Sequence, residues 1–198
     1  MKKFIAATKN IGKLNEIKEI LADFDYEIMS MKEAGINKEI DENGTTFEQN
    51  AFIKANDIWN ITGETVMADD SGLEVDFLNG APGIYSARFA GDNATDNDKN
   101  QKLLKLLEGV PFEKRKARFV CAIAVILPDG TDFTVKGTCE GYIALSPKGS
   151  NGFGYDPLFY MPEFGMTTAQ MEPSQKHRIS HRGKALQKMV SKLIEITK

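Results

Sequence analysis

Apolar residues follow strand-like and helical periods in turn along this chain, and this pattern predicts an α/β fold. Short apolar runs over residues 3–8, 26–30 and 65–69 have the length and composition of buried strands. Between them, apolar residues recur every three or four positions, as on one face of an amphipathic helix. Helices are therefore predicted over residues 14–24, from 45 or 46 to about 61, from 95 to 107 and from 185 to 194.

Two longer β runs, residues 117–127 and 132–143, predict a hairpin, which makes the sheet a mixed one. If Asp129-Gly130 forms a two-residue loop, Cys121 and Cys139 point to opposite faces of the hairpin. We therefore expect two thiols rather than a disulfide. The two cysteines also lack the spacing of a metal site.

Composition restricts the partners and the compartment. The 198 residues are enough for one domain with a sizeable core, and 41% hydrophobic with 27% charged residues is ordinary for a globular protein. A net charge of −3 predicts no nucleic-acid partner, because such proteins usually carry a basic surface. The apolar run at residues 4–7 is too short for a signal peptide, and no run approaches the ~20 residues of a membrane span. No membrane association is expected, and the predicted location is the cytoplasm.

The third apolar run ends in two adjacent carboxylates, Asp69 and Asp70, followed by Ser71-Gly72. Carboxylates at the end of a strand commonly hold a metal or act as a general base in α/β proteins. Side chains alternate along a strand, so one carboxylate can face a pocket while the other braces the turn. The competing interpretation is a surface turn, since these residues all favour turns, with a separate strand starting at Leu73.

The first strand leads into a polar helix start that carries a glycine and two lysines. Exposed amide groups and the helix dipole attract phosphate there, and a lysine adds a full positive charge. Plain helix capping is the alternative, and the spacing is not that of a Walker A loop. The residues of this segment are Thr8, Lys9, Asn10, Ile11, Gly12 and Lys13.

Two charged residues of the second predicted helix have structural interpretations. Glu48 follows Thr45 by three residues, as in a capping box. Lys54 is expected to be solvated on the same helix.

A glycine-rich loop contains Phe153, Gly154, Tyr155 and Asp156. Aromatic rings between glycines can open a slot for a planar ligand, with the carboxylate hydrogen-bonding its edge. The alternative is a turn whose aromatic rings belong to the core.

A basic segment precedes the last helix and contains Lys176, His181 and Arg182. Such a cluster suits phosphate or carbonyl oxygens. His177 and His181 have the spacing of a helical zinc pair, but no third ligand is apparent, and Ser180 and Gly183 indicate a turn that caps the last helix.

Carboxylates without zinc-type ligands favour Mg²⁺, with Mn²⁺ as a possible substitute, and these cations accompany phosphates. Together with the basic groups and the aromatic slot, they indicate hydrolysis or transfer at a nucleoside polyphosphate.

Five blocks of this sequence, in this order along essentially the whole chain, resemble the signature of the inosine triphosphate pyrophosphatase family, and most closely its bacterial Ham1-like members. The blocks are Ala7-Thr8-x-Asn10-x-Gly12-Lys13, Ala68-Asp69-Asp70-Ser71-Gly72-Leu73, Gly80-Ala81-Pro82-Gly83-Ile84-Tyr85-Ser86-Ala87-Arg88, Gly152-Phe153-Gly154-Tyr155-Asp156-Pro157 and Ile179-Ser180-His181-Arg182-Gly183.

The resemblance implies a single domain over residues 1–198, with an elongated, mixed, twisted sheet, helices on both sides and a cleft between two lobes. It implies Mg²⁺-dependent hydrolysis of the deaminated purine nucleotides XTP, ITP and dITP to the monophosphate and pyrophosphate. A homodimer is also implied by the resemblance alone.

The same resemblance implies a role for each site residue. Asp70 would be the general base and a metal ligand, Glu42 the other metal ligand, and Ser71 a substrate contact. Residues 8–13 and Lys176 would hold the phosphate and sugar. The base would be enclosed by Phe153, Gly154, Tyr155, Asp156, His181 and Arg182. Gln49 departs from the pattern, because many members have an acid there.

Two rival functions remain open from the sequence. One is a pyrophosphatase for modified pyrimidine or methylated nucleotides. The other is a nucleotide sensor, which would bind ITP without turnover and tolerate Asp70→Asn.

Overall fold

The structure is a computed structural model and describes residues 2–196, which form a seven-stranded sheet and five α-helices. In chain order the elements are β1 (Lys2–Ala6), α1 (Ile11–Ile20), β2 (Tyr26–Ser30), α2 (Phe47–Thr62), β3 (Val66–Val75), α3 (Asp96–Leu106), β4 (Lys116–Ile126), β5 (Asp132–Ile143), β6 (Phe159–Met161), β7 (Met166–Thr167), α4 (Pro173–Ile179) and α5 (His181–Ile196).

The strand order is β2-β1-β3-β4-β5-β6-β7. Strand β1 pairs in parallel with β2 and with β3, whereas β6 pairs antiparallel with β5 and with β7. The prediction of a mixed sheet with flanking helices is therefore confirmed. Helix α2 begins and ends at ordinary caps: Thr46 accepts a hydrogen bond from Gln49 N at its start, and Gly63 ends it with a φ of 63°.

Strand β3 is longer than the sequence pattern predicts. The predicted turn at residues 69–72 is wrong, because these residues continue the strand as far as Val75. Both carboxylates are buried, with Asp69 2% and Asp70 7% exposed. Their burial, together with the place of β3 between β1 and β4, overrides the local turn preference of Asp, Ser and Gly.

The β4–β5 connection also differs from the prediction. Leu127 N donates to Thr131 O at 2.9 Å, and Gly130 N donates to Leu127 O at 2.9 Å. The loop therefore has three residues, 128–130, with Gly130 at a φ of 84°, so the two-residue loop is wrong. Cys121 and Cys139 are nevertheless both buried thiols, as predicted.

The chain forms two compact units. Unit 1 contains residues 1–70, 121–137 and 181–198, and unit 2 contains residues 71–120 and 138–180. The single domain expected from the sequence stays a prediction.

Each unit has its own core. In unit 1, apolar faces of α1 and α5 pack with β1 and β4; the buried residues include Phe4, Ile17, Leu21, Met67, Ile123, Leu186, Met189 and Leu193. In unit 2 they include Leu73, Val75, Leu103, Leu107, Phe119, Ile143, Tyr155, Leu158, Phe159 and Met171. Within residues 2–196, no helix is long and apolar enough to cross a membrane.

Candidate active site

The two carboxylates near the middle of β3 contact different helices. Asp69 lies against α1 and α5, whereas Asp70 lies against α2. This division follows from the alternation of side chains along a strand, which the sequence analysis assumed. Each carboxylate therefore belongs to a separate polar cluster within unit 1.

The Asp70 cluster is built around the ammonium group of Lys54. Lys54 Nζ lies 3.1 Å from Asp70 Oδ1 and 2.9 Å from Glu42 Oε2. Asn50 Nδ2 donates to Asp70 Oδ2 at 3.3 Å, and Asn50 Oδ1 accepts from Gly44 N at 2.9 Å. One lysine thus joins the two carboxylates that the family resemblance assigns to the metal.

Charges within this cluster shift the pKa values of its members. Burial raises the pKa of the Asp70 carboxyl, against the attraction of Lys54 and Lys13, and the negative charge of Glu42 raises it further. Burial alone would lower the pKa of Lys54, but Asp70, Asp69 and Glu42 outweigh burial and raise that pKa. The two directions are compatible, because Lys54 is attracted by three carboxylates while Asp70 shares it with Glu42. A lysine that stays charged therefore adjoins a carboxylate that is more basic than usual.

The Asp69 cluster contains equal numbers of acids and bases. Asp69 Oδ2 lies 3.1 Å from Lys13 Nζ and 3.3 Å from Arg182 Nη2. Arg182 also binds Glu16 of α1 through Nη1. Only 1% of Arg182 is exposed, and the attraction of Asp69 and Glu16 outweighs burial and raises its pKa. Arg182 therefore stays charged and ties α5 to α1 and β3.

The predicted phosphate-binding segment forms the start of α1. Asn10 caps the helix by accepting from Lys13 N at 3.1 Å, and Thr8 Oγ1 accepts from Asn10 N at 3.2 Å. Ile11 is 73% exposed, and Lys9 lies 3.8 Å from Glu39 on the surface. Of the two lysines, Lys13 is the one that enters the Asp69 cluster.

Of the turn predicted at Ser180 and Gly183, Ser180 does separate α4 from α5, but the Gly183 part is wrong, because α5 begins at His181 and this glycine lies inside the helix. Close contact with β5 explains where the helix starts. A Cβ atom at Gly137 would overlap His181 O and lie 2.6 Å from Ala185 N. The absence of a side chain at Gly137 therefore allows the first turn of α5, with His181 and Arg182, to lie directly against the strand.

The predicted aromatic loop lies in unit 2 and is organised around Asp156. This carboxylate is buried, and it accepts from Phe153 N at 2.9 Å, Thr168 Oγ1 at 2.8 Å and Lys176 Nζ at 2.7 Å. Lys176 Nζ lies 5.3 Å from the centre of the Phe153 ring. The edge hydrogen bond predicted for Asp156 stays a prediction, since its oxygens bind protein groups here.

Glycine at position 152 is required by this arrangement. Its φ is 76°, and a Cβ atom there would overlap Asp156 Oδ2 and lie 3.1 Å from Lys176 Nζ. The absence of a side chain at Gly152 therefore leaves space for the ion pair between Asp156 and Lys176.

Sequence reasoning missed three residues of the two clusters. Lys54 was expected to be solvated, yet it is 7% exposed and bridges two carboxylates. Asn50 and Glu16 are buried polar residues on otherwise amphipathic helices. A buried face that carries polar residues was the available signal, because such groups normally have partners.

The predicted capping box of α2 is also wrong. Thr46 rather than Thr45 is the cap, and Glu48 Oε1 lies 2.9 Å from Lys136 Nζ. Gln49 Oε1 instead accepts from Thr45 N at 2.8 Å. The side-chain amide of Gln49, the residue that departs from the family pattern, therefore stabilises the start of α2. The reason is one of register: with Thr46 as the cap, the third helical residue is Gln49.

No group of three or more potential His, Cys, Asp or Glu ligands occurs in the described part of the chain. Mg²⁺ in nucleotide enzymes commonly uses one or two carboxylates and completes its shell with water and substrate phosphates. Glu42 and Asp70 share one cationic neighbour, so their oxygens converge on a position that already holds positive charge. This pair therefore fits a magnesium ion that arrives with a polyphosphate.

Comparisons with known proteins agree along the whole chain. A "dITP/XTP pyrophosphatase" of Clostridium perfringens is 50% identical over 204 residues, covering 100% of both chains. One of Desulforamulus reducens is 52% identical over 186 residues, covering 94% of this chain and 92% of that one.

Solved structures show the same likeness. The Ham1 protein of Staphylococcus aureus has a TM-score of 0.87 and 43% identity, covering 100% of both chains. The HAM1 protein of Coxiella burnetii has a TM-score of 0.88 and 42% identity, covering 98% of this chain and 100% of that one. The Ham1 family model matches residues 4–192. The chain belongs to the Ham1 family.

Proposed function

We propose that this protein hydrolyses the deaminated purine nucleoside triphosphates XTP, ITP and dITP to the monophosphate and pyrophosphate, with Mg²⁺. The observation that carries the proposal is the Asp70 cluster, in which two converging carboxylates share one lysine. The names of the relatives supply the substrate class. In the cell this activity would remove deaminated purines before polymerases use them.

Asp70 would act as the general base that takes a proton from the attacking water. Its raised pKa makes it a stronger proton acceptor than an ordinary aspartate. Glu42 and Asp70 would hold the metal, and Lys54 and the metal would together offset the negative charge of the triphosphate. When bound, Mg²⁺ would polarise the phosphate oxygens and stabilise the charge that develops on them.

The phosphate and sugar end would be held by residues 8–13 and Lys176, with Ser71 as a further contact. The helix start at Asn10 supports this role, because backbone amides and Lys13 lie there. Phe153, Gly154, Tyr155, Asp156, His181 and Arg182 would enclose the base.

Hydrogen-bond donors that face position 6 of the base would pair with the 6-oxo group of hypoxanthine or xanthine. Adenine has an amine at this position, which is itself a donor. Leaving that buried amine unpaired would cost about 1–3 kcal/mol, enough for useful discrimination. Arg182 Nη1 and Nη2 contact Glu16 and Asp69, which supports a positioning role for Arg182 beside the proposed contact with the base.

The test is pyrophosphate release from ITP, XTP, dITP, GTP, ATP and dTTP, each with Mg²⁺ and with EDTA. We expect metal-dependent release from ITP, XTP and dITP, and little from the other three. Turnover of a pyrimidine nucleotide would favour the first rival function. Tight binding of ITP without turnover would favour a sensor.

We further propose a homodimer that acts in the cytoplasm. Both come from the family resemblance. Light scattering after size-exclusion chromatography would measure the oligomeric state. Fractionation of cells would test the cytoplasmic location.

A further inference from the structure

The peptide groups on either side of Gly154 are bound by one helix of unit 2. Asp96 Oδ2 accepts a hydrogen bond from Gly154 N at 2.6 Å, and Asn100 Nδ2 donates to Gly154 O at 3.0 Å. Asp96 and Asn100 lie four residues apart on α3, so they share one helix face. Two side chains of α3 thus hold both backbone hydrogen-bonding groups of this residue.

The neighbouring residues of the loop are attached elsewhere. Phe153 N donates to Asp156, and the Tyr155 hydroxyl donates to Ser86 O at 2.8 Å. Gly154 has a φ of 64° and carries no side chain through which it could be held. Its orientation, and with it the directions in which Phe153 and Tyr155 leave the chain, therefore depends on Asp96 and Asn100.

Within the described part of the chain, asparagine at position 100 leaves one of its own polar atoms unpaired. Asn100 is 6% exposed, and its Oδ1 is buried without a hydrogen-bond partner among residues 2–196. An apolar side chain of similar size would avoid this cost. What the asparagine adds is the donor to Gly154 O.

Asp96, which accepts the hydrogen bond from Gly154 N, is also paired with a lysine. Lys99 Nζ lies 2.6 Å from Asp96 Oδ1. Although burial would raise the pKa of Asp96, the bonds from Lys99 and from the Gly154 amide outweigh burial and lower it. Asp96 therefore remains a carboxylate, and its bond to Gly154 N is charge-assisted.

We propose that Asp96 and Asn100 are positioning residues for base recognition, which hold Gly154 so that the loop presents Phe153 to the purine. The inference rests on the proposed function, and specifically on the role of residues 153–156 around the base. It predicts that weakening these bonds lowers affinity for the base and leaves the phosphate end unaffected.

The test compares Asn100→Asp with Asp98→Asn. Asn100→Asp replaces the donor with an acceptor of the same size facing a carbonyl. Asp98 belongs to the capping box of the same helix, so its substitution weakens α3 without touching the loop. The inhibition constants of inosine monophosphate and of pyrophosphate are measured in ITP hydrolysis, together with KM and kcat.

For Asn100→Asp we expect the inhibition constant of inosine monophosphate and the KM for ITP to rise about tenfold, the value of one lost hydrogen bond. The inhibition constant of pyrophosphate and kcat should change by less than about twofold, as should all values for Asp98→Asn. Asp96→Asn keeps an acceptor but loses the charge, so we expect an intermediate rise of about threefold. This milder variant keeps the test decisive if Asn100→Asp does not fold.

Unchanged inhibition by inosine monophosphate in Asn100→Asp or Asp96→Asn would overturn the inference, as would an equal effect in Asp98→Asn. A wild-type protein that neither turns over ITP or XTP nor binds inosine monophosphate would instead overturn the proposed function, and the inference with it. The two failures are distinguished because the second is seen before any variant is made.

Discussion

Two neighbouring carboxylates of one strand have opposite electrostatic surroundings. Asp69 and Glu16 are matched by two cations, Lys13 and Arg182. On the other face, Lys54 forms ion pairs with both Asp70 and Glu42. The first cluster is balanced, while the second has an excess negative charge that a divalent cation would neutralise.

Two aspartates that are adjacent in sequence can therefore have different roles. A buried charge needs a partner, and the Asp69 cluster meets that need within the protein. The Asp70 cluster meets it only in part, and burial, with a smaller contribution from the charge of Glu42, raises the pKa of Asp70. We therefore interpret Asp69 as the structural carboxylate and Asp70 as the reactive one.

The largest effect should separate the two carboxylates. Asp70→Asn removes the base and a metal ligand, so we expect kcat for ITP to fall on the order of 10²–10⁴-fold, with folding retained. Asp69→Asn should retain most of kcat and lose stability, because it weakens the contacts to Lys13 and Arg182. Steady-state kinetics and urea unfolding of both variants measure these two effects. Equal kcat losses in the two variants would contradict the assignment of different roles to Asp69 and Asp70.

Removing Arg182, one of the two cations of the balanced cluster, should give the largest loss of stability. Arg182→Met leaves Glu16 and Asp69 buried with one cation fewer, and we expect a loss of about 3–5 kcal/mol in the free energy of unfolding. Urea denaturation measures it. Arg178→Met, at an exposed position on α4, is the matched control and should change little. A loss of under ~1 kcal/mol for Arg182→Met would show that this cluster is not structural.

Lys54→Met should cost less, about 2 kcal/mol, because the Glu42 side chain is 33% exposed and water compensates for part of the loss. Mg²⁺ should raise the melting temperature of this variant more than that of the wild type, since the cation replaces the lost charge. The double variant Glu42→Gln, Lys54→Met should be more stable than Lys54→Met alone. No added response to Mg²⁺ would argue against a metal between these carboxylates.

The same lysine gives a pH dependence with a defined sign. Its pKa in the folded state lies above its ordinary value of 10.5, so its stabilising contribution is fully present below that value. The contribution is lost as the pH rises through the folded-state pKa. The stability difference between wild type and Lys54→Met should therefore be constant at neutral pH and shrink in strong alkali, as urea unfolding over a pH series would measure.

A smaller effect should come from the strand beneath the balanced cluster. Gly137→Ala places a Cβ atom against the first turn of α5, and overpacking of this kind costs about 1–3 kcal/mol. Because the displaced turn carries Arg182, the losses of Gly137→Ala and Arg182→Met should not be additive. A double-mutant cycle in urea measures the coupling, and simple additivity would contradict it.

The smallest effect on stability is expected for an exposed ion pair that lies outside both clusters. Glu48 and Lys136 are 39% and 46% exposed in their side chains. Glu48→Gln should change the free energy of unfolding by roughly 0–1 kcal/mol, measured by the same urea method. A larger loss would mean that burial is not what distinguishes the ion pairs of the two clusters from this surface ion pair.

Much of the local structure could be predicted from periodicity and caps. The helices predicted over residues 14–24, from 45 or 46 to about 61, over 95–107 and over 185–194 from apolar spacing correspond to α1, α2, α3 and α5. These features depend on neighbours within a few positions. The errors at residues 69–72 and at Gly183 arose where contacts distant in sequence outweighed local preference.

The candidate site divides in the same way. Asp70, Glu42 and the loop at residues 153–156 could be proposed from motifs, while Lys54, Asn50 and Glu16 could not. Their polar side chains on amphipathic helices have the spacing of ordinary surface residues until the helix is packed against β3.

By itself, the sequence determined the order of strands and helices, the family, and which short segments carry chemistry, because all of these depend on residue type and spacing. Only the tertiary structure decided which charges meet. Arg182 reaches Asp69 across 113 positions, and Lys54 joins Asp70 and Glu42 from a separate helix. The strength of a buried charge pair depends on distance and desolvation, and neither is defined until the chain is folded.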